Sequence, residues 1–479
     1  MKYYLSILWI LSLSVPVKAQ NYTALNGSSY TGSLNVHQNP AAIVNTPVKW
    51  DLTLFGIQDK HATNAVRIFK YSLISNPSNS EYLVAEGQFK RYAYLNANLN
   101  LLNTRIAVDK RNAVAFGVNI RSNAVITTSD YNFIDTLGRF GHFFLLNEGA
   151  EDMHLQMATS SWAEIYASYG RTLLDNDFGR LNAGITVKAN RGLSGAFLRL
   201  RNGNFIKNGT ADPVSYRVTD ARMDFGYSSN FDSWDRNRSF RENFRDFRSF
   251  TESGASVDLG AEYLIKPRVI NIPAVEESYY DYDWKIGVSL LDFGYAQYHF
   301  GKYSTSVNVV QPNVTDQHLD LSFDSTINRI GIFKDSLSSL FQFYGTYEGK
   351  YRINHPARFV LNADHFISGA FFVNADLSLD LSSLPIRDNL KVKDINRLTV
   401  TPRWETKKKG FYLPIYYNAL DQLWVGGAVR LGPVLFGVHN WSNILSKKKI
   451  QRGGGYLAII IRAKDLTGSR EDKRLRCPE

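Results

Sequence analysis

One cysteine, Cys477, stands in 479 residues. That excludes an internal disulfide framework and leaves Cys477 as a free thiol, an intermolecular pairing point or an incidental residue. After residue 19 no run reaches the ~18 consecutive apolar residues of a membrane-spanning helix. The zinc-protease H-E-x-x-H, the phosphate-binding P-loop, the dinucleotide glycine fingerprint and the G-x-S-x-G elbow are all missing. The nine histidines (His37, His61, His142, His154, His299, His318, His355, His365 and His439) are scattered. None sits among carboxylates at metal-ligand spacing. His439 and Ser442 share one turn, but a hydrolase would need its base and nucleophile aligned across strands. The reading is a non-enzyme without cofactor or metal.

What is present is period-two alternation. From Phe371 the apolar positions are Phe371, Val373, Ala375, Leu377, Leu379 and Leu381, with Asn374, Asp376, Ser378 and Asp380 between them and Phe372 the exception. This is a strand with one apolar and one polar face, long enough to cross a bilayer, where roughly 9–11 tilted residues suffice. The same pattern recurs at residues 50–57, 92–101, 113–120, 162–169, 181–187, 257–265, 284–290 and 359–366. It continues at 398–404, 411–417, 423–431, 434–438 and 456–461, with a less regular run at 216–225. These runs predict about fourteen strands, within a range of roughly twelve to sixteen.

The mean hydropathy of −0.25 suits a barrel with a polar interior and polar loops. Aromatic residues make up 13% of the chain, with 27 Tyr and 29 Phe, as interfacial girdles require. A soluble β-sandwich would also point polar residues outward, but seldom over so many strands without disulfides. Residues 1–19 carry Lys2, an apolar run and a small-residue ending, and read as a secretory signal peptide. The fold expected is all-β: a transmembrane antiparallel barrel over residues 47–463, with a compact segment at 20–46 ahead of the first strand and a charged tail at 464–479.

Asn39 before Pro40 predicts an N-cap and a short helical turn over residues 40–44. Two long insertions, 228–254 and 302–352, read as lids, plugs or partner surfaces. In the first, Phe240, Phe244 and Phe247 recur at helical spacing beside Arg238, Arg241, Arg245 and Arg248. In the second, the stretch from Leu337 to Phe343 predicts a short amphipathic helix. The formal charge is +11. In an exported barrel, the Arg/Phe loop reads as a solvated loop, a surface for lipid phosphates or an acidic partner's site, and not as a nucleic-acid interface.

The signal peptide, the small-residue stretch, Asn39-Pro40-Ala41-Ala42 ahead of the first strand and the fourteen alternating runs resemble the FadL/PorV-type outer-membrane barrels, in particular a branch common in Bacteroidota. The resemblance implies that residues 20–46 form a lumenal hatch shaped by Asn39, Pro40, Ala41 and Ala42. For FadL-type proteins it implies passage of hydrophobic compounds, with an apolar pocket against residues 39–44. For PorV-type proteins it implies a closed barrel that binds other outer-membrane or secreted proteins in type IX secretion. The 302–352 insertion and the tail ending Cys477-Pro478-Glu479 depart from the FadL pattern and give weight to the partner-binding alternative.

Overall fold

The computed structural model describes residues 22–463 except 70–80, 136–137, 210–213, 235–236, 250, 268–280, 325–326, 328, 383–388 and 442–450. The expected signal peptide, the tail and Cys477 lie outside the described residues. Fourteen antiparallel strands close a transmembrane barrel. They are β1 Trp50–Thr63, β2 Gly87–Ala107, β3 Asn112–Phe133, β4 Met153–Asp175, β5 Gly179–Lys207, β6 Glu252–Ile265 and β7 Trp284–His299. The second half comprises β8 (Lys350–Asn354 and Arg358–Ser368), β9 Phe371–Asp380, β10 Arg397–Glu405 and β11 (Lys409–Tyr412 and Ile415–Asn418). It ends with β12 (Gln422–Val425 and Gly427–Leu431), β13 Val434–Val438 and β14 (Arg452–Gly453 and Gly455–Arg462). Each strand pairs with the next, and β1 pairs with β14, Asp51 opposite Arg462, so no edge is left open.

Burial along the strands is inverted relative to a soluble protein. In β9 the polar Asn374, Asp376 and Ser378 are buried, while Phe371 and Leu379 at its two ends are exposed. In β7, Lys285 and Ser289 face inward, and Trp284, Ile286, Val288 and Leu290 face out. Polar inside and apolar outside is the arrangement that lipid selects. Among the described residues, no helix is long and apolar enough to cross a membrane.

The two ends of the barrel differ. At one, hereafter the turn end, most strands are joined by short links such as Gly369-Ala370 and Gly432-Pro433, where φ of +58° and +56° favours glycine. At the other, the loop end, β5 runs past the barrel and pairs with Tyr216–Tyr227. That strand pairs with Thr305–Val310, which pairs with Phe341–Thr346. The less regular run at 216–225 therefore belongs to this extension and is not a barrel crossing. The helices α1 Phe140–Leu146, α2 Phe240–Ser249, α3 Asp316–Ser322 and α4 Ile330–Ser339 lie in the connections at this end. Val307, Val310, Leu337, Leu340 and Phe341 form the apolar core of the extension.

The helix expected over 337–343 is a correction. The helix ends at Ser339, and Phe341 to Phe343 lie in a strand. Phe341 pairs with Val310 and Phe343 with Asn308, so sheet pairing captures an aromatic alternation that also fits a helical face.

Candidate functional site: the barrel lumen

Residues 22–45 lie inside the barrel and are almost wholly buried. They form three short 3₁₀ turns, Thr23–Leu25, Gly32–His37 and Pro40–Ile43. The last is capped as its sequence predicts: Asn39 Oδ1 accepts from the Ala41 amide at 3.0 Å, with proline at the first helical position. Asn39 Nδ2 donates to the Ala261 carbonyl at 3.0 Å and so ties the turn to β6. Asn39, Pro40, Ala41 and Ala42 are thus brought together against the barrel wall.

The wall beneath them is made of glycine. Gly170, Gly184 and Gly260 stand opposite one another on β4, β5 and β6. A Cβ on Gly184 would lie 2.4 Å from the Pro40 carbonyl carbon, and one on Gly260 would meet Asn39 Oδ1. The missing side chains let the backbone of the turn approach the sheet directly. Sequence reasoning missed this row; glycine recurring on the polar face of adjacent strands was the available signal.

Cations from the wall hold carbonyls of this segment and of the stretch that follows it. Arg105 donates to Ile43 O at 2.6 Å and Val48 O at 2.7 Å, Lys285 to Gly27 O at 2.5 Å, and Arg462 to Tyr30 O at 2.7 Å. Asp51 accepts from the Ser33 amide at 2.6 Å, and Glu405 from Ser28 Oγ at 2.5 Å. His37 packs edge-on to Tyr166 at 5.1 Å, and neither ring nitrogen has a hydrogen-bond partner. Burial pushes its imidazole down to about 3.

The apolar pocket expected against residues 39–44 is not what the structure holds there. The cavity beside Asn39 measures about 20 Å³, room for about one water. Most of its lining residues are of polar type, among them Gln38, Asn45, Glu262, Lys285, Asn362 and Asp376. The pleat accounts for the residue types: inward positions on β6 to β9 are mostly polar.

Above the segment a layer of ion pairs crosses the lumen. Asp292 meets Arg121, Lys188 at 2.8 Å and Arg358 at 3.3 Å. Arg121 lies 3.5 Å from Glu164, and Lys188 lies 2.7 Å from Asp258. Arg358 reaches on to Asp394 at 3.8 Å, which also pairs with Lys60 and Arg397, each at 3.0 Å. Nearer the loop end the lining turns aromatic: Trp162, Phe197, Tyr298 and Tyr351 cluster with Val125 and Ile353. The lumen is therefore layered, with the N-terminal segment, a charged floor and an aromatic cluster in sequence.

The Arg/Phe group lies elsewhere, in the connection at the loop end. Phe247 packs on Phe231 at 5.6 Å and Trp234 at 6.2 Å. Arg238 and Arg245 share the Asp246 carboxylate at 3.0 and 3.3 Å, and Arg241 is exposed. The side chains of Phe240, Phe244 and Arg248 fall outside the described ones. Among the described residues, no cluster of three or more histidines, cysteines or carboxylates could hold a metal ion.

Comparison with known proteins adds the following. A family model described as a family of unknown function (DUF5723) matches residues 40–439. No curated protein matches the chain. Similar solved structures include a deltaS2S3 mutant of the monoaromatic hydrocarbon channel TodX, at 10% identity and TM-score 0.41, covering 93% of this chain and 98% of that one. Another is the Ralstonia pickettii toluene transporter TbuX, at 12% identity and TM-score 0.40, covering 90% and 94%. A third is a Pseudomonas aeruginosa FadL homologue, at 10% identity and TM-score 0.40, covering 93% and 98%. At such scores these likenesses say nothing of what this chain carries.

Proposed function

Since the chain belongs to DUF5723, a family of unknown function, we propose from its geometry that it is an outer-membrane barrel passing an apolar small molecule, with residues 20–46 as a movable hatch. The observation that carries this reading is the seating of Pro40–Ile43 on the glycine row. The segment closes the lumen through side-chain tips and backbone approach, contacts that can be remade after a displacement. The aromatic cluster beyond the charged floor offers an apolar solute a surface on which to shed water.

The turn end, carrying the N-terminal segment, faces the periplasm in this reading, and the loop end faces outward, because long connections of such barrels are extracellular. Residues 1–19 act as the export signal, and the barrel is not a catalyst. The exposed arginines near α2 stand at the outer rim, where lipid phosphates are the nearest anions.

A second reading has one observation in its favour. Phe341–Thr346 pairs with Thr305–Val310 and carries exposed Phe343 and Tyr344, a surface suited to protein contact as in PorV-type barrels. Mild detergent extraction from native membrane, followed by mass analysis of what stays bound, separates the two. A bound apolar small molecule is the expected result. A stoichiometric protein partner with no small molecule would overturn the transport reading.

A further inference from the structure

Residues 389–396 of the β9–β10 connection pack among inward-facing side chains at the loop end of the barrel. This stretch has no regular structure, yet it enters the barrel. Val392 is fully buried within the aromatic cluster of Trp162, Phe197, Tyr298 and Tyr351, and Leu390 packs against it. Ile395 is buried with Ala62, Tyr416 and Trp424. Three apolar side chains thus occupy aromatic surroundings inside a barrel whose other inward positions are largely polar.

The attachment is made of separate contacts and not of a strand ladder: at its far end the Ala419 amide donates to Asn396 O at 2.9 Å and the Asp380 amide to Asn396 Oδ1 at 2.6 Å. Lys391 forms a single parallel bridge with Asn354. The Asn354 amide donates to Leu390 O at 2.9 Å, and the Val392 amide to Asn354 O at 3.3 Å. Arg199 donates to Asn389 O at 3.2 Å. The strongest hold is Asp394, whose carboxylate meets Lys60 of β1, Arg358 of β8 and Arg397 of β10. One side chain therefore pins the segment to three places around the wall.

We propose that residues 389–396 are an outer seal that packs on the aromatic cluster in place of the solute, with Asp394 as its latch. An apolar molecule takes the sites of Val392 and Ile395 only when the segment lifts. The identity of the solute rests on the transport reading above; the seal does not. Among the described residues the segment has no strand ladder, and Asp394 is an ionic hold that can be released, as a segment that opens locally requires.

The test uses the full-length protein with Cys477→Ser and a reporter thiol at Ala158→Cys, since Ala158 is buried in the cluster that holds Val392. Labelling by a membrane-impermeant maleimide is timed in detergent, with heat-modifiable gel mobility as the check on folding. Asp394→Asn should speed labelling at least tenfold, and Lys60→Gln, at the other side of the latch, should speed it in the same direction. Unchanged rates in the folded variants would overturn the seal. Adding N-phenyl-1-naphthylamine to the unlatched protein should protect the thiol. Faster labelling without protection would sink the apolar solute and leave the seal standing.

Discussion

Lowering the pH should unseat the N-terminal segment through His37. Seated, the imidazole is buried with no hydrogen-bond partner, and burial holds its pKa at about 3; Lys188 and Arg121 push the same way, against Glu164 and Asp292. Released into water, it returns to about 6.5. A value depressed in the seated state means that seating is at full strength above pH ~6.5 and weakens as pH falls from there toward 3. The loss is about 1.4 kcal/mol per pH unit. Between pH 7 and 5 it amounts to about 2 kcal/mol, roughly a 25-fold rise in the released population. Hydrogen exchange of the amides in residues 32–43, corrected for intrinsic rates, reads that population directly. His37→Phe keeps a ring against Tyr166 and removes the proton, so its slope should be smaller by one proton. An identical slope in parent and variant would refute the assignment.

Three further outcomes are expected. Gly184→Val forces a side chain into the Pro40 backbone; overpacking of this kind costs about 1–3 kcal/mol, which should raise exchange in residues 39–43 by roughly 5- to 150-fold with the barrel intact. Asn39→Ala removes both the cap and the tie to Ala261 O, a loss of about 1–2 kcal/mol, visible as faster exchange at Ala41 and Ala42. Ile165→Arg places a charge on an outward position that is 65% exposed; folding into lipid vesicles should weaken by about 2–4 kcal/mol if that site is near midplane, whereas a soluble protein would tolerate it.

The alternation in β9 was enough to name a strand, and its repetition enough to name a barrel of the right size. Alternation alone does not say which face is inside. That came from the fourteen-fold repetition and from the composition. The Asn39-Pro40 cap was equally legible, because capping is local chemistry read over a few residues. The glycine row was not, because Gly170, Gly184 and Gly260 align only once the register of three strands is known. The seal at 389–396 was invisible for a different reason. Its apolar residues, Leu390, Val392 and Ile395, follow neither a strand nor a helix period, and their partners lie on strands far away in sequence. The 337–343 stretch fits both periods, and only the pairing of Phe341 with Val310 decides between them.

The seam between β1 and β14 carries a consequence for how the chain is assembled. Arg462, in β14, donates to Tyr30 O, a hydrogen bond joining residues 432 positions apart. The same arginine stands opposite Asp51, which holds the Ser33 amide. Closing the seam therefore also completes the docking of residues 30–33. Contacts so distant in sequence form slowly. Until they form, residues 30–33 lack part of their berth, and a chain stopped before β14 would leave the wall open and remove the Arg462 bond to Tyr30 O together.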